Sequence, residues 1–160
     1  MRGRFRVFGW SASVAPLLAV AGGGAIVLGA WLPWMSYFAG LVPLRGVIGI
    51  NGRLLLGAGT ITLLLAVVMA LSAKPRVRAF ARRSTGVLGV GVAVAAVWLL
   101  IGVRELTRVH TSNAMLAPRA GIGLAVVFAG GVVLAFAALV PDRRAMRGLT
   151  TTSGPVGRAE

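Results

Sequence analysis

The chain has 160 residues, 58% of them hydrophobic and only 12% charged, with a mean hydropathy of +0.89. A soluble domain this small could not bury so much apolar surface, so lipid is the expected solvent. Cysteine is absent, which excludes disulfides, thiolate metal sites, a cysteine nucleophile and a lipoprotein anchor. The formal charge of +14 is spread in short clusters between apolar runs, not gathered on one basic face. That pattern points to anionic lipid headgroups as partners and away from nucleic acid.

Arg2, Arg4 and Arg6 precede the first apolar run, and Ala19-Val20-Ala21 matches the small-residue cleavage pattern of a secretory signal. The match lies inside a run that continues to Trp34, longer than a typical signal segment, so an uncleaved first helix is expected over 14–34. Pro16 falls in its first turn, where a missing N–H costs nothing. Trp31 and Trp34 fall at its far end, with Tyr37 and Phe38 just beyond, and Pro33 helps to end it. The two tryptophans read as an interfacial aromatic belt, with Trp10 in the same part at the near end; stacking on a ligand is the alternative. From Phe38 to Ile50 only Arg45 is charged. The loop 35–53 is therefore expected to lie in the interface, fold back over the bundle or pack on another protein, with the glycines of GVIGING allowing a tight path.

The second span is expected over 54–73 and is closed by Lys74-Pro75. The basic loop KPRVRAFARR follows, carrying Lys74, Arg76, Arg78, Arg82 and Arg83. As a topology signal it needs no further role. Contact with anionic lipid, worth roughly 1 kcal/mol per cation near the surface, and docking onto an acidic partner are the sharper readings. The third and fourth spans are expected over 85–103 and 121–140, with Pro118 and Pro141 just outside the last. No span contains a charged side chain. The tail 146–160 is polar and rich in Gly, Pro, Ser and Thr, and is expected to be mobile and cytoplasmic.

Orientation follows from the basic flanks. Twelve of the seventeen basic residues fall at the N-terminus, in the 74–83 segment and in the C-terminal tail (Arg143, Arg144, Arg147, Arg158). The other five are Arg45, Arg53, Arg104, Arg108 and Arg119. Both termini are thus expected in the cytoplasm. The expected fold is all-α: a polytopic plasma-membrane protein whose residues 1–145 form one four-transmembrane-helix bundle.

Chemistry needs titratable groups brought together. The acids are Glu105, Asp142 and Glu160, and His110 is the only histidine. They offer no expected carboxylate pair, no multi-histidine metal site and no Ser/His/Asp set, so neither an enzyme nor a cofactor is expected. Glu105, between Arg104 and Arg108, reads as a local ion pair, and His110 as a solvated loop residue. With no ionisable group in the spans, a proton- or ion-coupled transporter is disfavoured. Thr60 and Thr62 can each bond a carbonyl of the preceding turn.

Small residues recur four apart at Ala25/Gly29, Gly89/Ala93, Gly91/Ala95 and Gly131/Ala135. Such faces let helix backbones approach closely. They serve either the chain's own four helices or a neighbouring membrane subunit.

LPW at 32–34, Gly49, Asn51-Gly52-Arg53 and LLLGAGT at 54–60 resemble a pattern recurring in small four-span, tryptophan-associated membrane proteins of actinobacteria. GIGLAVVFAGGVVLAFAAL at 121–139 resembles their final span. Those families generally carry an aspartate where Asn51 stands, and their chemistry is largely unassigned. Some small actinobacterial membrane proteins are accessory subunits of envelope machines, including Mce-type lipid importers. The resemblance thus implies a non-catalytic accessory subunit of a larger envelope complex. A carrier of lipid or another hydrophobic molecule, alone or as a homo-oligomer, is the alternative.

Overall fold

In hydrocarbon every backbone polar group must bond within its own segment, so apolar runs of spanning length become helices. The computed structural model describes residues 14–38, 41–109 and 119–140. Four helices, α1 (Val14–Trp31), α2 (Ile50–Leu71), α3 (Pro75–Val109) and α4 (Ile122–Leu139), are each long and apolar enough to cross a membrane. They form a ring in which α1 lies against α2 and α4, α3 lies against α4, and α2 meets α3 over a smaller face.

The buried positions advance by alternating steps of three and four. This seam comprises Ala15, Ala19, Gly22, Ile26 and Gly29 on α1, and Gly123, Val127, Gly130, Leu134 and Ala137 on α4, with Gly23, Ala30, Leu124 and Gly131 buried beside it. On α2 the seam runs Gly52, Leu55, Gly59, Thr62, Ala66 and Met69. This is the spacing of a near-parallel bundle seam. Leu17, Leu28, Leu64, Val87 and Phe136 lie on the exposed outer faces. Thr62 and Thr85 are fully buried, and their hydroxyls donate to the Ala58 and Ala81 carbonyls at 2.8 and 2.9 Å. Thr60 bonds the Leu56 carbonyl in the same way.

The all-helical bundle carries a small sheet at one end. The last residues of the expected first span and the expected loop 35–53 form a hairpin: β1 (Pro33–Tyr37) pairs antiparallel with β2 (Val42–Arg45), and β1 also pairs with β3 (Arg119–Ala120). The order is β2-β1-β3. Pro33 stops helical bonding, and an extended pairing satisfies the backbone beyond it. Pro43, with no N–H to offer, sits in an edge strand, where proline is tolerated. Phe38 begins the reversal with φ +52°, a left-handed conformation that costs a side-chain-bearing residue about 1 kcal/mol.

Two helix boundaries also differ. α2 starts at Ile50, so Asn51 and Arg53 belong to its first turn. α3 runs for 35 residues, so the expected basic loop 74–83 is helix from Pro75 onward. Proline at the first helical position is preset for that start, and Ala and Arg are good helix formers. Only Ser72–Lys74, a three-residue connection, separates α2 from α3. Trp10, His110, Asp142, Pro118, Pro141, the arginines before 14 and after 140, and the tail 146–160 lie outside the described residues.

Candidate functional site

Helical bonding runs from the carbonyl of residue i to the N–H of residue i+4. For Gly29 that partner is Pro33, which has no N–H, so the Gly29 carbonyl loses its ladder donor. The indole N–H of Trp34 donates to this carbonyl at 2.9 Å. Trp34 is 8% exposed, whereas Trp31 is 53% exposed. The expected interfacial pair is therefore split. Trp31 faces outward, and Trp34 is a buried plug that completes the end of α1.

Room for the Trp34 ring comes from glycine. A Cβ on Gly123 would lie 2.6 Å from its Cδ1, and a Cβ on Gly46 would overlap the indole. The Trp34 carbonyl accepts from the Gly121 N–H at 2.7 Å, and the Leu32 carbonyl accepts from the Gly46 N–H at 3.3 Å. Gly46 in turn accepts from the Gly49 N–H at 3.0 Å and leaves no space for a side chain at Gly52. One residue thus joins the end of α1, the hairpin and the entries to α2 and α4.

Outside this joint the sheet end presents Phe38, Leu41, Val42, Ile48 and Ile50, all exposed. Asn51 is exposed beside them. The Arg53 Nε donates to the Val47 carbonyl at 3.4 Å. On α3, Glu105 pairs with Arg108 at 2.9 Å. Among the described residues no three His, Asp or Glu side chains come together.

The small-residue faces meet one another inside the chain. A Cβ on Gly131 would lie 2.8 Å from the Ala93 nitrogen, and one on Gly89 would lie 2.7 Å from the Ala135 nitrogen. Gly29 abuts Val127 and Gly123, and Gly130 approaches Ala25 and Gly22. These contacts hold α3 and α1 against α4. Gly91 and Gly57 are exposed, with open space where a Cβ would be.

The five cations of the basic segment also divide. Arg82 donates from Nη1 to the Val140 carbonyl at 2.9 Å, closing the C-terminal end of α4, where a cation is favoured by the helix dipole. Arg78 is half-buried, whereas Lys74, Arg76 and Arg83 are exposed.

The role of Trp34 escaped the sequence reading, although the signal was present: a proline four residues after a glycine, followed at once by tryptophan. The Arg82–Val140 contact had no local signal, because its partners are 58 residues apart. Comparison with family models, with curated proteins and with solved structures finds no match.

Proposed function

We propose that this is a multi-pass plasma-membrane protein with both termini in the cytoplasm, acting as a non-catalytic accessory subunit of a larger cell-envelope complex. The observation that carries the reading is the sheet end. It is tied together through Trp34, and it carries Phe38, Leu41, Val42, Ile48 and Ile50 outward with few charges among them. A preformed apolar surface outside a helical bundle suits a protein partner. The glycine faces do not support this reading, since α1, α3 and α4 use them internally. A Mce-type lipid importer is the specific assembly suggested by the resemblance at 32–34 and 49–60.

The test is purification from the native host in mild detergent through a C-terminal tag, with mass spectrometry of everything retained. The expected result is a stoichiometric set of envelope subunits that is lost in a Phe38→Ser/Leu41→Ser variant which still elutes as a single species. Recovery of this protein alone with bound lipid would overturn the accessory reading in favour of a carrier.

A further inference from the structure

The exposed face of α3 changes character along its length. Arg76, Phe80, Arg83, Val87, Val90, Val94, Ile101 and Arg104 are all exposed, at steps of three, four or seven residues, so they follow one side of the helix. Between Arg83 and Arg104 this stretch has no charged side chain. The 21 steps separating the two arginines correspond to about 30 Å of helix, the thickness of a bilayer's hydrocarbon core. The two arginines therefore bracket an apolar stretch of bilayer thickness.

Residues 75–82 precede that stretch on the connector side. Arg82 meets the end of α4 at Val140, and Gly86 faces Ala138, so α3 has about two turns before the level of the last described residue of α4. This extension carries Arg76, and Arg83 stands at its base on the same face, with Phe80, 70% exposed, between them and Lys74 just before the helix. The first turn holds no acid, and cations at a helix N-terminus oppose its dipole. Glu105, at the far end and paired with Arg108, is the only acid among the described residues. The whole chain has three acids against seventeen bases, so counter-charge must come from outside it.

We propose that Lys74, Arg76, Phe80 and Arg83 form a binding surface for anionic phospholipid. The cations take the headgroup phosphates, and Phe80 enters the interface between them. A bilayer suits this surface better than an acidic protein, because the same face continues without a break into the lipid-facing apolar stripe. Arg82 lies outside the site, being committed to α4. That the leaflet is cytoplasmic rests on the orientation proposed above; binding does not, so the two fail separately.

The test uses full-length protein in dodecyl maltoside, titrated with dioleoyl-phosphatidylglycerol or dioleoyl-phosphatidylcholine, with bound lipid counted by native mass spectrometry. Wild type should retain phosphatidylglycerol in preference to phosphatidylcholine. R76Q/R83Q should weaken that retention about 30-fold, as expected for two interfacial cations. R104Q/R119Q, at the opposite end, should change it less than about twofold on the same reasoning. Phe80→Asn should weaken retention with every cation in place, and soluble glycerol 3-phosphate should not displace the lipid. Equal retention of the two lipids by wild type would overturn the proposal and return these cations to an acidic protein partner. Equal loss in the two double variants, or displacement by glycerol 3-phosphate, would overturn it as well.

Discussion

Pro33 removes one hydrogen-bond donor from the end of α1, and Trp34, the next residue, supplies another from its side chain. The substitution of an indole N–H for a backbone N–H matters because an unpaired carbonyl near lipid is costly. Trp34→Phe keeps an aromatic ring in the glycine-walled space but removes the donor together with part of the indole's volume. It is expected to destabilise the detergent-solubilised protein by about 1 kcal/mol for the lost bond, plus the cost of the space left by the smaller ring, read from thermal or SDS-induced unfolding. Pro33→Ala restores a backbone N–H at the position that the Gly29 carbonyl would ordinarily use. In that background Trp34→Phe should cost about 1 kcal/mol less, since the packing loss is common to both. Equal costs in the two backgrounds would mean that the bond contributes nothing beyond packing.

At the scale of elements, α4 is held on two sides by backbone-to-backbone approach. Gly130 and Gly123 meet Gly22 and Gly29 of α1, and Gly131 meets Gly89 and Ala93 of α3. Between apolar helices in an apolar solvent, such closeness is what favours association. Gly131→Ala places its Cβ 2.8 Å from a backbone nitrogen, so α3 and α4 must separate. Overpacking of this kind costs about 1–3 kcal/mol. Gly91→Ala meets nothing and should leave stability unchanged or raise it by a few tenths of a kcal/mol, since alanine is the better helix former. Melting temperatures of the two variants in one detergent give the comparison. A loss of partner binding after substitution at Gly89 or Gly131 would therefore report first on the bundle itself.

At the scale of the molecule, the start of α1, the α2–α3 connection and the end of α4 share one end, and the sheet occupies the other. The absence of cysteine makes this arrangement directly measurable. Leu41→Cys, on the exposed hairpin, should react with a membrane-impermeant maleimide added to intact cells or spheroplasts. Lys74→Cys should react only after the membrane is opened. The reverse pattern would invert the proposed orientation while leaving the bundle as described.

The sequence by itself determined four charge-free apolar runs, each of which lies largely within one of the four helices. Hydropathy and span length are local quantities, and lipid leaves the backbone no other solution. It also showed the Glu105–Arg108 pair and the Thr60 and Thr62 bonds, because their partners lie within one helical turn. It did not show the full length of α3, whose ends are helical but charged and so fall outside any hydropathy window. The sheet was hidden because β1 pairs with β3 across more than 80 residues, and no local pattern encodes that pairing. The tertiary structure alone divided Trp31 from Trp34 and Arg82 from Arg83, residues of the same type close together in the chain. Their difference lies in what they meet: the ring of Trp34 fits where Gly46 and Gly123 have no side chains, and Arg82 reaches the end of α4. Composition fixes a residue's solvent, whereas only packing fixes its partner.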